Sequence, residues 1–179
     1  MKQRKGFTLI ELMIVIAIII ILAAIAIPNY LRMTERAKKA RISSDMASLA
    51  TGLEAYRTDW GTYPVAGTAV AVDDIAKDLY RELSGDGATV TNISANTNIA
   101  GEHGPIEYIK AETLTSIVDP FKAAGGAVAN ADGHVYYGSA TGGLHWVLYA
   151  YTGSSTGAYM WRTDSSSTIV EGATTPSIP

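Results

Sequence analysis

Residues 7–30 read FTLIELMIVIAIIIILAAIAIPNY, and this stretch decides the fold. From Phe7 to Ile27 only Thr8 and Glu11 are polar. At ~1.5 Å rise per residue these 21 residues span ~31 Å as a helix, about the hydrocarbon thickness of a bilayer. The block is too long for the apolar region of an ordinary secretory signal, and no small-x-small cleavage site follows it. The reading is a single helix able to anchor in a membrane. Basic residues flank it on both sides: Lys2, Arg4 and Lys5 before, and Arg32, Arg36, Lys38, Lys39 and Arg41 after. Charge alone therefore leaves the orientation open.

Glu11 is the informative residue inside this block. A carboxylate within a spanning helix costs roughly 2.5–3.5 kcal/mol on insertion scales, so it needs a partner or a task. The bland alternative is a charge near one end of the span that snorkels to the headgroups. Cleavage between Gly6 and Phe7 would create a partner, a free α-amine one helical turn before Glu11. That amine could neutralise Glu11 in the same chain, or meet the Glu11 of a staggered neighbour.

The helix is expected to outlast the apolar block. Pro28 removes one backbone donor and either ends the helix or kinks it. The sequence favours a kink, because Ile42, Met46, Leu49, Leu53, Tyr56 and Trp60 continue one apolar stripe at helical spacing. The spacing predicts one helix from Phe7 to about Asp59, with its second half amphipathic. Gly61-Thr62-Tyr63-Pro64 then breaks it.

Lys5-Gly6-Phe7-Thr8-Leu9-Ile10-Glu11-Leu12 resembles the prepilin processing motif of type IV pilins and type II secretion pseudopilins, and the similarity continues through Ala23 to Tyr30. The resemblance implies that Gly6 ends a leader removed by a prepilin peptidase. It implies that Phe7 becomes the N-methylated first residue, and that Phe7 and Glu11 guide subunit docking. It also implies the topology, with leader in the cytoplasm and body outside the inner membrane. The implied partners are further copies of the chain in a helical filament, the peptidase and N-methyltransferase, and an inner-membrane assembly platform with its ATPase. Leu53 to Pro64 and Asp119-Pro120-Phe121 are similar to the helix exit and body of major pseudopilins. That similarity favours a type II secretion pseudopilus over a surface type IV pilus used for adhesion, motility or DNA uptake. A membrane-tethered binding module that never polymerises is the alternative outside both.

The remaining sequence reads as a small β-containing body. Beyond Trp60 there are twelve acidic and five basic residues, within a chain of net charge −3. An acidic body argues against a general nucleic-acid surface. Asp73 to Ser84 has the caps and spacing of a short helix. Asp86 to Gly104 is polar and aperiodic, a loop. His134 to Tyr137, Leu144 to Tyr151 and Ala158 to Thr163 predict a three-stranded meander, with Leu144, Trp146, Leu148 and Ala150 on one face. Trp146 and Trp161 belong to the core or to subunit contacts. The fold class is α+β: a long N-terminal helix packed on a small antiparallel sheet. The expected organisation is a leader (1–6), a transmembrane or filament-core half-helix (7–28), an amphipathic half-helix (29–60) and a globular body (61–179).

Enzymatic chemistry finds no support. The chain has no cysteine, which removes disulfides, thiolate metal sites and cysteine nucleophiles. His103, His134 and His145 lack ligand spacing. No Gly-x-Ser-x-Gly elbow occurs, and Gly125-Gly126 has no Walker lysine. Asp73, Asp74 and Asp78 read as capping and solvated positions. Major pseudopilins carry an acidic calcium loop, but the comparable stretch here, Tyr151 to Gly157, has no acid, and Asp164 is the nearest carboxylate. Calcium is thus weakly supported, and no cofactor is expected.

Overall fold

A computed structural model describes residues 6–65, 70–73, 83, 106–121, 133–140, 142–153 and 159–179. It divides into two compact units, residues 1–38 and 39–179.

The first unit is helical. Helix α1 is assigned from Leu9 to Trp60 and runs through Pro28 without ending there. Thr8 caps its start. The Thr8 hydroxyl and backbone N–H both donate to Glu11 Oε2 at 2.8 Å, and the Glu11 N–H donates back to Thr8 Oγ1 at 3.3 Å. This reciprocal arrangement is a capping box, which satisfies orphan amides at a helix start. It places the helix onset two residues after Phe7.

The second unit holds the folded body. Its part of α1 buries Ile42, Met46, Leu49, Leu53 and Tyr56, while Trp60 is half-buried against the same core. This is the predicted stripe. Against it lies a five-stranded antiparallel sheet in the order β1-β2-β3-β4-β5. The strands are β1 Val70–Ala71, β2 Tyr136–Ser139, β3 Trp146–Tyr151, β4 Tyr159–Thr163 and β5 Ser166–Gly172. A short helix, α2, covers Ala111–Ser116. The predicted meander is the centre of this sheet, with β2 starting two residues later than read. Leu144 falls outside β3 and is exposed, whereas Trp146, Leu148 and Ala150 share the helix-facing core as expected. Strands β1 and β5 add an edge on either side. The helix predicted over Asp73 to Ser84, the loop Asp86 to Gly104 and the leader lie almost wholly outside the described residues.

Alternation along the strands makes two cores. Tyr137, Trp146, Leu148, Ala150 and Met160 join the helix stripe. Tyr136, Val147, Tyr149 and Tyr159 form a second cluster on the other face, with Trp161 and Ile178 packed against it. Tyr136 stacks on Tyr149 at 5.4 Å between centroids, and Tyr149 meets Tyr159 edge-on at 6.2 Å. Aromatic pairs of this kind add to the stabilisation from area burial.

Candidate assembly site and the clamps that hold the body

The processing and docking residues sit on an open helix start. Phe7 is 93% exposed, and Gly6 has no atom near its Cα that a side chain would meet. The bond between them is therefore sterically accessible in the isolated chain. Glu11 faces outward and uses one oxygen, Oε2, for both bonds from Thr8. Its Oε1 takes no hydrogen bond among the described residues. The sequence signal for this box, Thr-x-x-Glu at the head of an apolar run, was present in the chain but was not read as a cap.

The apolar side chains that follow have no cover. Leu9, Ile10, Leu12, Met13 and Ile14 are all more than half exposed, and so is the tract from Ile18 to Ile27 at its large apolar positions. The helix is long and apolar enough to cross a membrane. In water such a surface would be strongly unfavourable at about 25 cal/mol per Å², so it requires lipid or other apolar helices.

The other motif residues act as clamps within the body. Tyr63, from the helix exit, donates to Glu54 Oε1 at 2.7 Å and accepts from Arg57 at 3.0 Å, with the guanidinium 5.0 Å above its ring. Burial, reinforced by the bond to Glu54, raises the Tyr63 pKa. The next residue, Pro64, gives its carbonyl to the buried Tyr137 hydroxyl at 2.7 Å. The Tyr63 N–H donates to the Gly143 carbonyl at 2.9 Å. Gly143 has φ +65°, and a side chain there would run into the Tyr63 carbonyl. Beside this exit, Trp60 Nε1 donates to the Tyr108 hydroxyl at 2.8 Å, which in turn donates to Asp59 at 2.9 Å. Burial, with the Asp59 bond second, pushes the Tyr108 pKa up to about 12.

Asp119, from the Asp-Pro-Phe segment, is buried and accepts from two backbone amides. Phe121 N–H donates to Oδ1 at 2.8 Å and Tyr151 N–H to Oδ2 at 2.9 Å. One carboxylate thus ties the connection after α2 to the end of β3. Two histidines prove to be structural partners: His134 pairs with Asp73 at 2.9 Å and His145 with Asp164 at 2.7 Å. Asp164 is committed to that pair and to the β4–β5 turn. Among the described residues no group of three or more acidic, histidine or cysteine side chains is arranged for a metal ion.

An apolar helix led by Gly-Phe-Thr-x-x-Glu and followed by a small antiparallel sheet is a pilin-like α+β arrangement. Residues 1–27 match the model of the prokaryotic N-terminal methylation motif. The chain is similar to fimbrial protein Q of Moraxella bovis, 40% identical over 101 residues that cover 56% of this chain and 62% of that protein. It is 59% identical over 54 residues to a fimbrial protein of Pseudomonas aeruginosa, covering 30% of this chain and 35% of that one. It is 38% identical over 64 residues to type II secretion system core protein G of Klebsiella pneumoniae, covering 36% and 46%. The chain therefore spans about a third to three-fifths of the length of these relatives. No solved structure matches.

Proposed function

We propose that the chain is a structural subunit of an inner-membrane-assembled, type IV pilin-like filament. The observation that carries this reading is the uncovered apolar half of α1, headed by a processing motif. A peptidase cuts after Gly6, a methyltransferase modifies Phe7, and the helix waits in the membrane with its body outside the cytoplasm. An assembly ATPase then drives its extraction into a bundle of like helices, so that apolar contact is exchanged for apolar contact. The new α-amine of one subunit binds Glu11 of the next. The capping box need not break for this, because Oε1 is available while Oε2 keeps Thr8. A charge-assisted pair in a low-dielectric bundle is stronger than a neutral hydrogen bond.

Two destinations share this mechanism. The resemblance of Leu53 to Pro64 and of Asp119-Pro120-Phe121 to major pseudopilins supports the first, a type II secretion pseudopilus that moves protein cargo. The second reading, a surface type IV pilus, is favoured by the 101-residue similarity to a fimbrial protein, which extends well past the helix. Mass spectrometry of the N-terminal peptide in sheared surface material and in washed membranes decides between them. Methylated Phe7 confined to membranes supports the pseudopilus, and its abundance in the sheared fraction supports the pilus. An intact Met1 leader in both fractions overturns the filament reading.

A further inference from the structure

Between Glu11 and Asp45 the chain carries five basic residues, Arg32, Arg36, Lys38, Lys39 and Arg41, and one acid, Glu35. The body engages two of these cations. Lys39 pairs with Glu171 at 2.9 Å, and Arg41 donates to the Ser116 carbonyl at 3.3 Å. Arg32 and Arg36 are placed differently. Both are exposed on α1, and neither makes a hydrogen bond or ion pair among the described residues. They stand one helical turn apart and share a face of the helix, where like charges repel slightly. Two such cations side by side ask for an anion from outside the chain.

Their position indicates which anion. Both lie in the same compact unit as the exposed apolar tract that ends at Ile27. At ~1.5 Å per residue, Arg32 is ~7.5 Å beyond Ile27 and Arg36 ~13.5 Å beyond it. A bilayer's headgroup zone adds roughly 5–8 Å on each side of the hydrocarbon core. Helical side chains lean towards the helix N-terminus, here towards the apolar tract, so the long arginine stems reach back over the difference. Tyr30, exposed between the tract and the pair, is a residue type that favours the same interface. Guanidinium groups take phosphate oxygens through two parallel hydrogen bonds. A neighbouring copy's carboxylates are the poorer source, because Asp73, Asp119, Asp164 and Glu171 already hold partners within the body.

We propose that Arg32 and Arg36 form a docking face for an anionic phospholipid headgroup, which fixes the depth of the helix before assembly. The inference rests on the membrane stage proposed above. Removal of the leader takes Lys2, Arg4 and Lys5 with it, and the side-chain cations left beside the tract are all on the body side. The grip on headgroups is then at that end, and extraction into a filament must release it.

The test measures lipid preference beside this face. The chain has no cysteine, so Ile25→Cys carries a single bimane probe on the full chain. Ile25 is exposed and lies two turns before Arg32 on the same helix face. The labelled chain is placed in vesicles of phosphatidylcholine and phosphatidylglycerol, one of the two brominated in its acyl chains. Quenching gives the binding of each lipid relative to the other. Phosphatidylglycerol should be preferred at least about tenfold at low salt, and the preference should shrink in about 0.5 M sodium chloride. Arg32→Gln with Arg36→Gln should bring the ratio near one. A leader variant, Lys2→Gln with Arg4→Gln and Lys5→Gln, should leave it unchanged. The proposal is overturned if the ratio is near one in the unsubstituted pair, if the double variant keeps the preference, or if excess inorganic phosphate abolishes it, which would make this a site for free phosphate. Loss of filament yield in the double variant with no lipid preference in its parent would assign the pair to a neighbouring copy and overturn it equally. Vesicle flotation separates the two levels of failure. A chain that floats without a preference sinks this inference alone, and a chain that does not float sinks the membrane stage with it.

Discussion

At the scale of single residues, the body is held by a few polar groups placed where apolar packing leaves off. Asp119 is the clearest case, one buried carboxylate accepting from the amides of Phe121 and Tyr151. Asp119→Ala strands both amides and should destabilise the body by about 3 kcal/mol, read as a lowered Tm by near-ultraviolet circular dichroism; Asp119→Asn should cost less, because one amide keeps an acceptor. Tyr108 offers a pH-dependent test. Its pKa in the folded chain is raised to about 12, so the folded state holds this proton more tightly than the unfolded chain does. The stabilisation is complete below the ordinary tyrosine value near 10 and fades as pH rises from there through about 12. Tyrosinate absorbance should show a late step near that upper value, Tm should begin to fall above about pH 10, and Tyr108→Phe should remove the late step. Asp119 was visible in the sequence as part of the Asp-Pro-Phe segment and Tyr137 as part of a predicted strand. Their chemistry was not, because each bond crosses a long stretch of chain: Tyr108 to Trp60, Asp119 to Tyr151, Tyr137 to Pro64.

At the scale of elements, legibility followed periodicity. The stripe Ile42 to Trp60 obeyed helical spacing over five turns, and the structure buries Ile42 to Tyr56 of it at the core with Trp60 packed half-buried against them. The centre of the sheet was legible because aromatic and branched residues alternate between turn dipeptides. Strand β1 has two residues, too few for any pattern. Strand β5, Ser166–Gly172, is largely polar and exposed, and reads locally as tail; it is a strand because a two-residue turn, Asp164-Ser165, folds it back onto β4. Its link to α1 is the ion pair of Lys39 with Glu171 at 2.9 Å, a contact no local window reveals. Gly52 was hidden in the same way. It sits inside α1, where alanine would favour the helix, but Ile109 occupies the space of a side chain there. At the β2–β3 connection, Gly143→Ala should destabilise by about 1–3 kcal/mol, since the left-handed backbone and the Tyr63 carbonyl both oppose a Cβ. Urea unfolding monitored by tryptophan fluorescence measures this, and an unchanged midpoint would mean the loop can re-route.

At the scale of the whole molecule, the two units divide the labour. Residues 7–28 leave their large apolar side chains exposed in the single chain, whereas the stripe from Ile42 to Tyr56 is buried in the body's core. The prediction at this scale concerns assembly alone. Glu11→Ala should leave leader cleavage, membrane insertion and body Tm unchanged while reducing filament yield at least tenfold, measured by shearing and sedimentation. Normal yield would show that helix packing suffices without the charge. The helix start is legible in the sequence both as a processing motif and, through Thr8 and Glu11 three residues apart, as a capping box whose bonds the structure supplies.

The burial of β2 and β3 on both faces has an evolutionary consequence. In these strands successive side chains enter one core or the other, so few positions there are free to drift. Changes of outward character are confined to β5, with its run of exposed serine and threonine, and to hairpin tips such as Leu144. A lineage under pressure to alter how it looks to the outside can rewrite those segments while its scaffold stays fixed.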